Sequence, residues 1–327
     1  MSGRPAGRPG VRGATRAAAA GSAARAAEAG VTRRQLLIGG GLLAAWAAAA
    51  GVVASRSWMV RRYWYRLTGA YGEAGTPPPA YPVTCREGTL ASVHLKRPAA
   101  YVVGYPPGVG GSRSAAAAET PVLICLPGRN RTPQAVLRGG LRMADYVADA
   151  QARRGVTPFA VAAVQASDTY WHARLDGDDA MAMLFDEFIP LLRDELGLGG
   201  PLAVMGWSMG GYGALRAAEL HPERFAAVSA VSAALWRSFE DGVGDAFDGA
   251  GDYARNDVYA GVRRLSGLPV RVDCGRQDPF YKANVAFAAA LPEPPAGGFT
   301  PGGHDDAYWT RVAPAEIDWI GAQLARA

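Results

Sequence analysis

From about residue 83 onward, short apolar runs alternate with longer stretches of helical period. The runs Ser92–Arg97, Tyr101–Tyr105, Val122–Leu126, Phe159–Val164, Leu202–Gly206, Ala226–Val231 and Val270–Cys274 predict strands. Helical spacing over Pro133–Arg153, Asp179–Leu196, Met209–Leu220, Pro279–Leu291 and about Ala307–Ala325 predicts helices. The first two strands, joined by a short turn, are expected to be antiparallel. Beyond them the chain alternates strand and helix, which implies an α/β domain over 83–327: a mostly parallel central sheet flanked by helices on both faces. The segment Trp236–Ser266 breaks that rhythm. It is long, rich in Gly and Asp, and carries Trp236, Phe239, Phe247 and Tyr253, the make-up of a lid or binding loop.

The first 82 residues have a different pattern. Residues 1–30 show no apolar periodicity. Thr32-Arg33-Arg34, followed by Leu36 and Leu37 and a weakly hydrophobic Gly/Ala-rich centre, resembles a twin-arginine export signal over 1–54. The uncharged stretch Leu36–Ala54 is long enough to span a bilayer. Two outcomes stay open: cleavage after Ala50 or Ala54 with release, or retention as an anchor at the outer face of the cell membrane. The sequence "SWMVRRYWYRL" suits an anchor, because aromatic and Arg side chains gather at membrane interfaces, so membrane association is expected through residues 36–65. The basic and aromatic stretch gives way to the Pro-rich "GEAGTPPPAYP", and 55–82 as a whole reads as a linker.

Charge sharpens this division. The formal net charge is +5, yet residues 1–55 carry seven Arg against one Glu, which leaves the remainder close to neutral. A near-neutral body carries no electrostatic footprint for nucleic acid. Of the three cysteines, Cys125 and Cys274 fall in apolar strand runs and Cys85 stands alone; no Cys/His spacing suggests a metal, and no cofactor is expected.

The candidate chemistry centres on "PLAVMGWSMGGYGAL". Gly206-Trp207-Ser208-Met209-Gly210 fits G-x-S-x-G between a buried strand pattern and an amphipathic helix. Such a turn lifts the Ser208 hydroxyl above the sheet and aims it at a helix N-terminus, where free N–H groups stabilise an anion. A serine hydroxyl needs a base. Four histidines are available: His94, His172, His221 and His304. In a strand–turn–helix elbow the partners come in the order serine, acid, histidine, and only His304 satisfies it. For the acid, "LPVRVDCGRQDPFY" offers Asp273 inside a strand and Asp278 beyond its end; the position favours Asp278. The N–H of Met209 is the first expected oxyanion donor, and that of Arg129, in "LPGRNRT", the second. Tyr170, Trp171 and His172 at the end of a strand, Trp207 beside the serine and Trp236 in the lid are candidate substrate contacts. Asp178 and Asp179 are expected to cap the next helix.

From about residue 85 to its end, the chain resembles the putative esterase family of α/β hydrolases, which includes esterase D-type enzymes and the antigen 85 mycolyltransferases. The motifs that carry the resemblance are "GWSMGGYGAL", "HPERFAAVSAVS", "CGRQDPF" and "GGHDDAYW". It implies an α/β-hydrolase fold, a Ser208–His304–Asp278 triad and a serine esterase acting on a small-molecule acyl ester or thioester. Pro127-Gly128 stands where many relatives have His-Gly. Two alternatives remain at this point: an acyltransferase that uses an acceptor other than water, and a non-catalytic, membrane-tethered binding protein of the same fold.

Overall fold

The structure is a computed structural model that describes residues 58–109 and 115–327. The expected leader, 1–54, lies outside the described residues, as does the uncharged stretch within it. Tyr65–Ala327 form one compact unit. Its centre is an eight-stranded sheet built from β1 (Thr84–Ala91), β2 (Pro98–Tyr105), β3 (Val122–Leu126), β4 (Ala160–Val164), β5 (Leu202–Trp207), β6 (Ala227–Val231), β7 (Val270–Gly275) and β8 (Ala296–Thr300). The spatial order is β1-β2-β4-β3-β5-β6-β7-β8, with β2 antiparallel to both its neighbours and every pair from β4 to β8 parallel.

The middle strands are buried along their whole length, as expected where helices cover both faces. Side chains alternate between two cores. Val122, Ile124 and Leu126 of β3 face one layer, Leu123 and Cys125 the other. With α1 as the helix Trp58–Leu67, the second layer holds α2 (Met143–Arg154) and α6 (Asp306–Leu324). The first holds α3 (180–195), α4 (Met209–Leu220) and α5 (Tyr281–Ala290). Pro190 interrupts α3 and has no N–H for the ladder; the turns on either side of it widen to π geometry.

Four expectations need correction. The first strand is Thr84–Ala91, not Ser92–Arg97. Residues 84–91 are largely exposed and carry no apolar alternation, but they pair residue for residue with β2, and 92–97 form the connecting turn. The helix expected over 133–153 is two helices, Pro133–Leu137 and α2, divided by Gly139-Gly140 and by Arg142 at φ 52°. Strand β8, "AGGFT", lacks the apolar run that would announce it and is held by its parallel ladder with β7. The stretch read as a linker begins in α1, and its Pro-rich half is strapped to the domain. Gly75 N–H donates to the Ala307 carbonyl (2.9 Å), Tyr81 N–H to Asp145 (2.8 Å) and Tyr81 Oη–H to Asp149 (2.7 Å). Arg311 reaches the carbonyls of Tyr71 and Glu73, while the Tyr71 ring lies against Gly303. Prolines suit such a strap, since it forms no ladder that would need their missing N–H.

Trp236–Ser266 lies between β6 and β7 and folds into short helices at Phe239–Asp241, Ala250–Asn256, Val258–Gly261 and Val262–Leu265. Its aromatic side chains turn inward: the Phe247 ring sits edge-on to Tyr253 at 5.2 Å and to Trp236 at 5.9 Å. Gly261 presses on Glu219, a carboxylate only 1% exposed near the end of α4. Burial pushes the Glu219 pKa up to about 8, with Arg216 opposing the shift from 3.4 Å. The folded state therefore retains a proton that the unfolded chain releases near its ordinary value of 4.5, so this residue makes stability fall as pH rises between those limits. Glu219→Gln, neutral at every pH, should melt above the wild type by a margin that widens from pH 5 to pH 8. A margin that narrows over that range in thermal scans would contradict the account.

Candidate active site

Three loops at the carboxyl edge of the sheet bring the candidate side chains together, the place where ligands bind in open α/β sheets. Ser208 stands between β5 and α4, Asp278 comes after β7, and His304 lies between β8 and α6. Ser208 Oγ is 2.9 Å from His304 Nε2, and His304 Nδ1 is 2.8 Å from Asp278 Oδ2. The other Asp278 oxygen accepts the Phe280 N–H at 2.8 Å. With Nδ1 carrying the proton toward the carboxylate, Nε2 is left as the acceptor for the serine hydroxyl. Ser208 and His304 are partly exposed, whereas the Asp278 carboxylate is fully buried, with one oxygen at the His304 ring and the other at the Phe280 N–H.

Local sequence explains the turn. Ser208 adopts φ 56°, ψ −119°, a conformation that costs a non-glycine residue about 1–3 kcal/mol. Backbone bonds on both sides hold it there. Its N–H donates to Val231 (3.0 Å), and its carbonyl accepts from Tyr212 (3.1 Å) and Ala234 (2.9 Å). Glycine is required at two flanking positions: a Cβ at 206 would overlap the Gly210 carbonyl, and a Cβ at 210 the Leu126 carbonyl. Met209 opens α4, so its N–H lies in the first turn, where helical donors lack intrahelical partners. The loop after β3 comes alongside, with a Cβ on Gly128 only 3.5 Å from that of Ser208; the main chain of Arg129 is next in line.

The remaining candidates divide. Trp207 points away, into the layer of α2 and α6, because strand alternation sends 203, 205 and 207 to that face. Trp171 is fully buried against Gly213 of α4. His172 is likewise buried, with Nδ1 3.0 Å from the Ala173 carbonyl, Nε2 3.0 Å from the Ala246 carbonyl and its ring stacked on Phe247 at 5.2 Å. It pins the inserted segment in place. Trp236 remains at the site: its ring lies 5.4 Å from Phe280 and 5.8 Å from Tyr170, the latter mostly buried. The Arg129 guanidinium is taken up by Asp245 (2.8 and 2.5 Å) and lies 3.5 Å from Asp168.

Asp273, the other possible acid, faces the wrong side of the sheet. It pairs with Arg271 (2.7 Å) in a buried group with Glu316, whose own carboxyl bonds Ser229 and is raised well above the usual range by burial. Asp179 accepts from the Met181 and Ala182 N–H groups and caps α3; Asp178 instead pairs with Arg97 at 2.5 Å. His221 closes α4 against the Phe185 ring, and His94 meets Asp186, both away from the serine. The thiols of Cys125 and Cys274 are buried, and desolvation pushes both up. No group of three or more His, Cys, Asp or Glu among the described residues could hold a metal.

Two neighbours of His304 are not legible in the sequence. Phe280 and Trp309 stand edge-on to the His304 ring, at 5.4 and 5.2 Å. Phe280 lies two residues past Asp278, but only the fold brings its ring to His304. Trp309 in turn carries the Arg131 guanidinium over its ring (5.2 Å), and Arg131 pairs with Asp306 at the start of α6.

This strand order, with a serine at the sharp turn between a strand and a helix, defines the α/β-hydrolase fold. The chain belongs to the family described as "Putative esterase", whose model matches residues 116–295, more than half of its length. That membership makes it a carboxylic ester hydrolase of the serine type. Solved structures agree in fold. A ferulic acid esterase superposes with a TM-score of 0.63 at 23% identity, covering 74% of this chain and 100% of that one. The fluorophosphonate-binding serine hydrolase F of Staphylococcus aureus gives 0.59 at 17% identity, covering 74% and 99%. An S-formylglutathione hydrolase from Agrobacterium tumefaciens gives 0.59 at 18%, covering 77% and 99%. No curated protein sequence matches the chain.

The overlap at Gly210 carries a direct consequence. Gly210→Ala must push the start of α4 off the β3 carbonyl edge, and it should destabilise the protein by about 3 kcal/mol or more. Urea unfolding of this variant beside Gly213→Ala, whose added methyl meets the Trp171 side chain, distinguishes displacement of backbone from repacking; an unchanged midpoint for Gly210→Ala would refute the steric reading.

Proposed function

We propose that Ser208 is the nucleophile, His304 the general base and Asp278 the residue that orients it, in hydrolysis of a carboxylic ester or thioester. The observation that carries this reading is the unbroken hydrogen-bonded line from Asp278 through His304 to Ser208. As Oγ attacks the acyl carbon, its proton passes to Nε2, and the imidazolium that forms is balanced by the buried carboxylate. The carbonyl oxygen takes the negative charge and is met by the N–H of Met209 and that of Arg129; a donor of this kind contributes about 3–4 kcal/mol to the transition state. Collapse returns the proton from His304 to the leaving alcohol or thiol. Water, activated by the same imidazole, then frees the acid from Ser208.

Phe280 and Trp236, both partly exposed, continue from the imidazole as an aromatic wall, and this surface suits an ester with an apolar, flat group on one side of the scissile bond. The activity is assigned to the outside of the cytoplasmic membrane, with residues 1–54 as the export leader; the support for this is the Thr32-Arg33-Arg34 sequence and the apolar stretch after it.

A fluorophosphonate probe and an aryl-ester assay test the triad. The wild type should label, Ser208→Ala and His304→Ala should not, and Asp278→Asn should lower kcat by about 10⁴ with little change in KM. A folded wild type that neither labels nor turns over any ester would overturn the proposal. For the wall, Phe280→Ala and Trp236→Ala should raise KM for aryl-substituted esters at least several-fold more than for short aliphatic ones. Equal effects on both substrate classes would remove the wall from the binding site.

A further inference from the structure

Helix α1 is unlike the other helices in what it exposes. Its sequence, "WMVRRYWYRL", contains three Arg and no acidic residue. Tyr63, Trp64 and Leu67 are separated by one, three and four positions and share one face, yet they are 66%, 62% and 64% exposed. Arg62 and Arg66, four apart, form the adjoining row. Large apolar groups are seldom left this exposed together on a charged helix, and the arrangement of an aromatic face beside a cationic row is that of a helix lying in a membrane interface.

Two further observations identify the partner. The charge is of one sign only, which complements an anionic headgroup layer and offers nothing to a second copy of the same helix. The helix also begins four residues after the uncharged stretch 36–54 ends, so a chain inserted through that stretch delivers α1 to the headgroup layer. We propose that α1 docks along an anionic lipid leaflet, with Tyr63, Trp64 and Leu67 at the headgroup–acyl boundary and the arginines on lipid phosphates. The apolar stretch and α1 are then two membrane signals of different kinds, one set by hydrophobic length and the other by lipid charge.

The test uses the full chain in a Cys85→Ser background, with a polarity-sensitive fluorophore on Tyr63→Cys. Vesicles of phosphatidylcholine alone are compared with vesicles that also contain phosphatidylglycerol. The label should shift to the blue on the anionic vesicles and not on the neutral ones, and the shift should reverse in high salt. Arg62→Glu/Arg66→Glu should weaken the response about tenfold or more, while ester hydrolysis in solution, unchanged, shows that the fold is intact. Three results would overturn the proposal: no shift on anionic vesicles, an equal shift on both kinds that survives the Arg→Glu changes, or blue emission without lipid that grows with protein concentration, which would mean that a second copy covers the face.

Discussion

At Ser208 three backbones meet at distances that leave no room for a side chain: the end of β5, the start of α4 and the end of β3. Everything else in the site is arranged around that contact. The strained φ/ψ at 208 is tolerated because Val231, Ala234 and Tyr212 fix its peptide groups, and those residues belong to β6, the loop after it and α4. The placement of Ser208 therefore depends on the register of the central sheet as much as on its own turn. His304 is secured differently. His304 sits in a short loop and takes its orientation from what surrounds the ring: a buried carboxylate on one side, and Phe280 and Trp309 edge-on to it.

How far the sequence announces this depends on where side chains bury. Strands β3 to β6 are buried along their whole length and β7 nearly so, despite its Arg271 and Asp273, and the sequence places each within a residue or so of its true bounds. The two outer strands that escape it, β1 and β8, are held by main-chain ladders and have exposed or glycine-rich faces, so no hydrophobic period marks them. The same rule applies in the site. Ser208, Asp278 and His304 are readable because a strand–turn–helix pattern and chain order constrain them. Trp207, Trp171 and His172 look like pocket residues from their position along the chain, but the side on which each ring falls is decided by strand alternation and by packing across α4 and the inserted segment.

The inserted segment, 236–266, joins the two kinds of information. Its aromatic residues form a small core over α4, while its edge is fastened by charge: Arg129 to Asp245 and Arg174 to Asp248. Arg129 thereby links the loop beside Ser208 to the inserted segment. The Arg129–Asp245 pair is exposed and contributes little to global stability, so its effect is local, on how closely the inserted segment and the loop approach each other; Arg174 and Asp248 are largely covered.

The Pro-rich strap has a consequence of another order. It runs from the end of α1 to the first strand and is hydrogen-bonded on the way to α6, with Tyr71 against Gly303, the residue before His304. The hydrolase therefore has no clean seam at residue 83. Tension applied along the chain at its amino-terminal side reaches the His304 loop before it reaches the sheet, so the strap and that loop form one mechanical element.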